Sequence, residues 1–373
     1  MDKSDVVIIG GGIIGASAAY FLSKRDMDVT LFDKSGIGRE ASGSNAGTMA
    51  IQNKKLKLVP FVQESHRIWA AFQEELGDEI EFRQPGGLRV AEDAEQSEVL
   101  RESVKEQKKL GIELELLAPQ DLKNFAPYIG ASVVMASFCR MDARSNPLTA
   151  TRAIARAAQA HGVKINENDP VESIVVEKEN RFLVRTANRQ VQTTSVLNSA
   201  GVWSKQIFKM IGLDFSITLD PMQVMVTERA SYIFPHVVTH AKGNMTLKQM
   251  DSGNVVIGGG WKSIGDADKN IKKIRYKSME GNIQYACRVV PALKKLNLIR
   301  CWAGLEGRSP DFLPLLGQLN KFPGFYSACC TKGGQTLGPL LGRTIAEIIA
   351  DGRTSFPMDG CDVNRFAPSC FAN

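Results

Sequence analysis

Three glycines near the start of the chain have the spacing of a site that holds phosphate groups. Gly10, Gly12 and Gly15 form the pattern GxGxxG within "VVIIGGGIIGASAAYFL". Glycine there permits a tight turn, lets the backbone approach a pyrophosphate and lets a helix pack closely on a strand. Asp33 lies 18 residues after Gly15, where an acidic side chain can accept hydrogen bonds from a ribose. These residue types and spacings predict a dinucleotide site.

The sequence around the glycines predicts the elements that must position them. "DVVIIG" is a β-branched run typical of a buried parallel strand, and "IIGASAAYFLSKR" has the apolar spacing of a helix. A second strand, "DVTLFDK", ends at Asp33. The N–H groups at the helix N-terminus would then face the phosphates. A bare GxGxxG is also compatible with a simple glycine-rich turn, but the order strand, helix, strand and acid favours the nucleotide site.

The composition is that of a globular protein of about two domains. Of the 373 residues 43% are hydrophobic and 23% charged, with no apolar run of the roughly 20 residues that a membrane helix needs. The surplus of six basic residues is spread along the chain, which favours anionic ligands over nucleic acid. Seven cysteines without a CxxC pair argue against a disulfide framework and against a zinc or iron–sulfur site. Asp2 and Asp5 precede the first apolar run, so we expect no secretory signal and a cytoplasmic protein.

At this point the chain resembles the family of FAD-dependent amine oxidoreductases that includes D-amino acid oxidase, glycine oxidase and sarcosine oxidase. The polar loop "GREASGSNAGTM", which follows the second strand, suits the remainder of a long dinucleotide. Five later segments occur in the family's order and extend the resemblance over nearly the whole chain. They are "GGLRVA", "DARSNPLTATRAIARAAQAHGVKI", "VLNSAGVWS", "CWAGLEGRSPDFLPLLG" and "FYSACCTKGGQTLGPLLGRTIAEII".

The resemblance implies an α/β protein with a discontinuous, Rossmann-like FAD-binding lobe and a substrate lobe that contains an antiparallel sheet. We expect residues 1–48, 140–214 and 300–373 in the FAD-binding lobe and residues 49–139 and 215–299 in the substrate lobe. The implied FAD contacts come from the glycine turn, the ends of the strands, the polar loop and the last glycine-rich turn. They are Gly10, Gly12, Ile14, Gly15, Asp33, Lys34, Ser42, Ser44, Asn45, Ala46, Gly47, Val171, Ala200, Gly201, Trp203, Gly333, Gly334, Gln335 and Thr336.

The last of these turns precedes a helix expected at about 338–349. Its N-terminal amides would stabilise the negative charge that develops at the pyrimidine end of a reduced flavin. A glycine hinge before a surface helix is the alternative. Noncovalent FAD is expected, because Gly304 stands where sarcosine oxidases carry the cysteine that attaches the flavin.

The implied reaction is oxidation of an amine CH–NH bond to an imine by hydride transfer to flavin, followed by hydrolysis. The chain departs from the family at two candidate catalytic residues. Glu306 stands where amino acid oxidases commonly place the arginine that grips the substrate carboxylate, and it would face a cationic substrate group or pair with Arg308. Lys332 stands in a turn that often reads GHG in relatives, and it would contact flavin, a substrate carboxylate or a partner subunit, or be simply exposed.

Three functions remain open from the sequence. The chain would be the catalytic subunit of a heteromeric dehydrogenase for a secondary amine or amino acid, such as proline, hydroxyproline or an opine, with electrons passing to partner subunits that carry further redox centres. Alternatively, it would be a stand-alone amino acid or glycine-type oxidase that uses oxygen. The third function is a non-catalytic flavoprotein subunit with structural FAD. No nucleic-acid partner and no metal site is expected.

Overall fold

The computed structural model describes residues 2–329, 332–356, 358–366 and 369–370. Two large sheets organise this part of the chain. The first has six strands in the order β22 (Leu315–Gln318), β23 (Phe325–Cys329), β13 (Ser195–Asn198), β2 (Val6–Ile9), β3 (Val29–Phe32) and β9 (Lys164–Asn166). Strands β23, β13, β2, β3 and β9 run parallel to their neighbours, and β22 pairs antiparallel with β23. Residues of β2 and β3 are buried on both faces, as their apolar runs predict.

Helices cover this sheet, and the N-termini of two of them, α1 and α9, lie at the same cleft. Helix α1 (Ile13–Ser23) follows β2 directly and packs against α6 (Pro147–Ala160) and α9 (Gly334–Asp351). Helix α9 in turn packs on α3 (Val59–Leu76). Gly338 permits the close approach of α9 to α1, because a side chain there would stand 2.6 Å from Ile13 Cγ2.

The second sheet has eight strands and is mainly antiparallel. Their order is β21 (Leu298–Arg308), β15 (Thr218–Arg229), β18 (Asn254–Gly258), β17 (Thr246–Gln249), β16 (Val237–His240), β5 (Gly87–Ala91), β7 (Met135–Cys139) and β6 (Leu114–Leu117). Only β16 and β5 pair in parallel among these described strands. A core of buried side chains lies between one face of the sheet and helix α8 (Tyr276–Val289).

The remaining elements are short or lie at the periphery. The strands are β1 (Asp2–Lys3), β4 (Thr48–Met49), β8 (Ala143–Arg144), β10 (Val171–Val176), β11 (Phe182–Thr186), β12 (Gln190–Thr193), β14 (Leu213–Asp214), β19 (Ile264–Asp266), β20 (Ile271–Lys273) and β24 (Ser369–Cys370). The α-helices are α2 (Ala41–Ser44), α4 (Ala94–Lys108), α5 (Pro119–Phe125) and α7 (Ser204–Met210). Single 3-10 turns span Leu56–Leu58, Gly77–Ile80, Lys178–Asn180, Gly201–Trp203, Pro291–Lys295 and Val363–Arg365.

The α/β class expected from the sequence is confirmed by this architecture. All six strands of the first sheet fall in segments expected for the nucleotide-binding lobe. Strand β21 belongs to the second sheet, although most of its residues lie within 300–373. The lobe boundaries therefore stay a prediction.

The structure places most of the cysteines and shows how apolar the helices are. Within the described residues Cys139 and Cys361 are buried free thiols, Cys287 and Cys301 are partly buried free thiols, and Cys329 is buried. Cys330 lies outside the described residues. The same residues contain no cluster of side chains suited to a metal ion. No described helix combines the length and apolar character required of a membrane span.

Candidate functional site

A cleft opens at the carboxyl ends of β2, β3 and β13 and extends to β21 and the start of α9. Most of the residues that the sequence predicts as cofactor contacts line this cleft. They are Gly10, Gly12, Ile14, Asp33, Lys34, Ser42, Asn45, Ala46, Gly47, Val171, Ala200, Gly201, Trp203, Gly333, Gly334 and Gln335. Glu306 also lines the cleft, at the end where α9 begins.

The glycine turn forms one wall of the cleft. Gly10 has a φ of +108°, and a side chain there would stand 2.6 Å from the Ser199 carbonyl oxygen. A side chain at Gly15 would collide with the Gly10 carbonyl oxygen, so Gly15 packs against the turn instead of lining the cleft. The turn therefore requires glycine for its backbone angle at one position and for its close packing at the other.

Asp33 connects the end of β3 to this turn. Its Oδ2 atom accepts the Gly11 N–H at 2.7 Å, and its Oδ1 atom accepts the Ser35 N–H at 2.8 Å. Burial raises the pKa of the Asp33 carboxyl, and the two backbone donors act in the opposite direction. The carboxylate is thus held in one orientation at the cleft wall, with acceptor capacity left for a ligand hydroxyl.

The polar loop of residues 41–47 joins the two helix N-termini. Ser42 Oγ accepts the Ile13 N–H at 2.9 Å, so its own O–H hydrogen remains available to an anionic oxygen. Asn45 accepts the Gly47 N–H at 2.6 Å and donates to Gln335 Oε1 at 3.2 Å. The loop consequently fixes the start of α1 relative to the start of α9.

Two other predicted contacts lie just outside the cleft wall. The Ser44 carbonyl accepts the Trp302 indole N–H at 2.8 Å, and the Ser44 side chain faces Gly304. Thr336 is fully buried, and its carbonyl accepts the Ser65 hydroxyl at 2.6 Å. Both residues support segments that line the cleft.

The cleft residues fit FAD in chemistry and in order. The Gly10 turn and the N-terminus of α1 suit a pyrophosphate, which favours backbone N–H donors. Asp33 suits a ribose, and Val171 and Ala200 add apolar wall on the same side. At the other end the N-terminus of α9 suits a group that gains negative charge.

Glu306 is the charged group at this second end. Gly333 donates its backbone N–H to the Glu306 carboxylate. Burial raises the pKa of Glu306, and the charges of Lys332, Lys54 and Arg308 oppose that rise. Arg308 forms an ion pair with Asp220 at 3.0 Å. Among the described residues the ion partner of Arg308 is therefore Asp220, and the role of Glu306 stays a prediction.

Lys54 lies next to the cleft, behind Gly333, and sequence reasoning missed it. Its ammonium group occupies the space where a Gly333 side chain would stand, beside the backbone that binds Glu306. Burial lowers the pKa of Lys54 to about 8 and outweighs the opposing effect of the Glu306 charge. Neither Lys54 nor Lys332 is among the residues that line the cleft, and the Lys332 charge contributes to the potential at both Lys54 and Glu306. Lys54 follows the polar loop in a lysine-rich segment, where nothing distinguished it from Lys55 or Lys57.

Lys248 was also missed. It is 1% exposed on β17, and its ammonium nitrogen has no hydrogen-bond partner among the described residues. A side chain at Gly47 would stand 2.6 Å from this nitrogen, so Lys248 lies directly behind the polar loop. Burial, with the nearby Arg144 charge, places the pKa of Lys248 well below its ordinary value. In the sequence "TLKQ" the residue looks like a surface position of an alternating strand.

No histidine lines the cleft among the described residues. His66 is buried, and desolvation lowers its pKa to about 4, so it is neutral at physiological pH. His236 contacts Tyr128, and His240 lies 3.3 Å from Glu92.

Known proteins resemble the chain along nearly its whole length. A mitochondrial dimethylglycine dehydrogenase from Rattus norvegicus is 25% identical over 98% of this chain and 45% of its own length. The chain thus spans less than half of that relative. One of the subunits of an opine oxidase from Rhizobium meliloti is 25% identical, with 98% of both chains covered. The crystal structure of L-proline dehydrogenase from P. horikoshii superposes with a TM-score of 0.87 at 28% identity, with 98% of each chain covered.

The family model described as FAD dependent oxidoreductase matches residues 5–348. This match covers the glycine turn, the polar loop, both sheets and the start of α9. The resemblance inferred from the sequence motifs is confirmed, and so is the expectation of FAD as cofactor. The chain therefore belongs to the DAO family of FAD-dependent oxidoreductases, and it is an FAD-dependent enzyme.

Proposed function

We propose that the chain oxidises the CH–NH bond of a carboxylate-bearing secondary amine, with noncovalent FAD in the cleft described above. The observation that carries this proposal is the mixed charge at the α9 end of the cleft. A carboxylate, Glu306, and an ammonium group, Lys54, lie on either side of Gly333. A substrate with both a carboxylate and a cationic group matches this arrangement.

Lys54 supplies the positive charge that the family's arginine would supply at position 306. Its ammonium group would bind the substrate carboxylate through a charge-assisted hydrogen bond. Glu306 would bind a cationic group elsewhere on the substrate, such as the guanidinium of an arginine-derived opine. Arg308 pairs with Asp220, so it does not occupy the Glu306 carboxylate, and a cationic substrate group would favour the charged form of Glu306. Together the two residues would fix the orientation of the substrate carbon.

Bound FAD supplies the hydride acceptor that converts the CH–NH bond to an imine. The protein contributes position and exclusion of water. Gln335 is 5% exposed and is held by Asn45 and Ser145, at 3.2 Å and 2.9 Å, so the wall beside the reacting region is rigid. Gly333, whose N–H binds Glu306, and Gly334 line the same end of the cleft at the start of α9.

We further propose that the chain acts as the catalytic subunit of a heteromeric dehydrogenase. The support is its match, over 98% of both chains, to a relative that is named as one subunit of an opine oxidase. The described residues contain no metal-binding cluster, so further redox centres would belong to partner subunits. The proposed location is the cytoplasm, where thiols such as Cys139, Cys287, Cys301 and Cys361 remain reduced.

Anaerobic reduction of the bound flavin tests the proposed reaction. The holoprotein is mixed with proline, N-alkyl amino acids, an arginine-derived opine and an opine without the guanidinium, and flavin absorbance is followed. We expect at least one carboxylate-bearing secondary amine to bleach the flavin. The control is the amine with the same skeleton but no carboxylate, which should not bleach it. Absence of bleaching by the whole panel, also with copurified partners present, would favour the structural-FAD alternative.

Oxygen consumption by the same preparation separates the first two candidate functions. A dehydrogenase subunit reduced by its substrate should consume oxygen slowly and reduce an artificial acceptor quickly. Rapid oxygen consumption at the rate of flavin reduction would contradict the dehydrogenase proposal and favour the stand-alone oxidase.

A further inference from the structure

A hairpin of the second lobe extends to the adenosine end of the cleft. It consists of β19 and β20, with the connecting residues 267–270 at its tip. Its base is packed on the eight-stranded sheet, because a side chain at Gly265 would stand 2.5 Å from Leu305 and 2.8 Å from Pro221. The hairpin is therefore anchored on one lobe while its tip projects toward the other.

The tip contacts two residues of the nucleotide-binding lobe that line the cleft. The Trp203 indole N–H donates to the Ala267 carbonyl at 3.0 Å. The Gln206 amide donates to the Asp268 carboxylate at 2.9 Å. Trp203 and Gln206 both belong to the wall that continues from Ala200 and Gly201. The position of this wall thus depends on the hairpin.

The second strand of the hairpin holds the opposite rim. Lys272 pairs with Glu40 at 2.5 Å, and Glu40 pairs with Lys34 at 3.4 Å. The Lys34 ammonium group lies 3.4 Å from the centre of the Trp203 ring. Lys34, Glu40 and Trp203 all line the cleft next to Asp33. A closed chain of contacts therefore runs from the hairpin around this end of the cleft and returns to the hairpin.

We propose that this hairpin, through Ala267, Asp268 and Lys272, acts as a clasp over the adenosine half of the cofactor. This inference rests on the proposed position of FAD in the cleft. Both rims at this end are tied to the second lobe, so release of FAD requires these contacts to break. The ion pairs are partly exposed, with Lys272 at 26% and Glu40 at 20%, so their strength depends on ionic strength.

The release rate of FAD from the full-length holoprotein tests the clasp without any substrate. The variant D268A/K272M removes one contact at the tip and one on the strand, and neither residue lines the cleft. Release is followed by the rise in flavin fluorescence after large dilution of the holoprotein into buffer without FAD. We expect release to be at least about tenfold faster than in the wild type. Raising the salt concentration from about 0.05 M to about 0.5 M should accelerate release from the wild type more than from the variant.

Lys273→Met is the matched control, since Lys273 is exposed on the same strand and forms no ion pair with the described residues. Its release rate should stay within about twofold of the wild type. The melting temperature of the apoprotein should be unchanged in D268A/K272M. A release rate equal to that of the control overturns the proposal. The proposal is also overturned if D268A/K272M lowers the melting temperature of the apoprotein as much as that of the holoprotein, because the hairpin would then be a general structural support. Neither result depends on whether an amine reduces the flavin.

Discussion

Arg308 forms an ion pair with Asp220, with 3.0 Å between the Arg308 Nε and Asp220 Oδ2 atoms. The β15–β21 register places Asp220 directly opposite Glu306, and Lys262 also pairs with Asp220. Asp220 is 2% exposed, so it requires these cations. The neighbouring carboxylate, Glu306, is thereby left to the cleft.

Glu306→Gln should therefore alter substrate choice more than stability. We expect the KM for an arginine-derived opine to rise about 10- to 100-fold, from loss of a charge-assisted hydrogen bond of about 1.5–3 kcal/mol. The KM for an opine without the guanidinium should change less than about twofold. Steady-state kinetics on both substrates, with an artificial acceptor, make the comparison. Equal losses on the two substrates would end the guanidinium hypothesis.

Asp220→Asn is the contrasting variant for the same strand pair. It removes the ion partner of Arg308 and Lys262, so thermal stability should fall by roughly 3 kcal/mol. Flavin binding should weaken, since β21 forms part of the cleft wall. Turnover should therefore fall for all substrates alike. Melting curves of the apoprotein measure the first effect. A variant as stable as the wild type would show that Asp220 carries no such structural role.

If Lys54 binds the substrate carboxylate, the affinity for carboxylates should depend on pH. The pKa of Lys54 is lowered to about 8, so the ammonium form predominates below pH 8 and is lost as the pH rises through that value. The dissociation constant of a simple carboxylate without an amine should therefore increase above pH 8. Titrations monitored by the flavin absorbance spectrum between about pH 6 and about pH 10 measure it.

Two substitutions at this position separate charge from shape. Lys54→Arg keeps the positive charge to higher pH, so carboxylate binding should persist above pH 8. Lys54→Met should weaken binding about 10- to 100-fold at pH 7 and remove the transition. A transition near pH 8 that survives in Lys54→Met would assign the titration to another group.

Asp33→Ala should weaken FAD binding by about 1.5–3 kcal/mol, because it removes charge-assisted hydrogen bonds to the ribose. Part of the loss would come from the Gly11 and Ser35 N–H groups that lose their acceptor. Asp28→Ala is the control, since Asp28 takes part in an exposed ion pair with Lys164. Fluorescence titration of apoprotein with FAD gives both affinities. Unchanged affinity in Asp33→Ala would mean that the ribose is held elsewhere.

Acid precipitation tests the noncovalent attachment of FAD. We expect the yellow cofactor in the supernatant, because the position of the sarcosine oxidase cysteine is Gly304 here. A side chain at Gly304 would also collide with Ser44, so the segment is built without one. Flavin retained on the precipitated chain would contradict noncovalent binding.

The nucleotide end of the site could be predicted from sequence because its determinants are local. Gly10, Gly15 and Asp33 lie within one strand–helix–strand unit, whose backbone geometry requires those residue types. The partner of Arg308 could not be predicted in the same way. Asp220 reaches Arg308 only through the register of two strands distant in the sequence.

The charged end of the cleft was predicted only in part for the same reason. Glu306 stood out as a departure from the family pattern. Lys54 did not, because it lies near Glu306 only through the fold, with both side chains next to Gly333. The clasp contacts of Trp203 and Lys272 also join segments far apart in the chain. Composition and periodicity carry no signal for such contacts, since each residue is an ordinary polar position in its own segment.

Lys248→Met should stabilise the apoprotein, and the gain should be largest at low pH. The Lys248 amino group is buried without a hydrogen-bond partner among the described residues, and its pKa lies well below the ordinary value. The unfolded chain therefore binds a proton that the folded chain lacks, so wild-type stability rises with pH in the window between the two pKa values. Methionine has no such proton and fills a similar volume. The variant's unfolding free energy minus that of the wild type should therefore decrease by about 1.4 kcal/mol for each unit of pH increase in that window. Urea denaturation of both apoproteins at about pH 6, 7.5 and 9 measures this slope, with Lys57→Met, an exposed lysine, as the control. A difference between variant and wild type that does not depend on pH would show that Lys248 stays protonated in the folded chain.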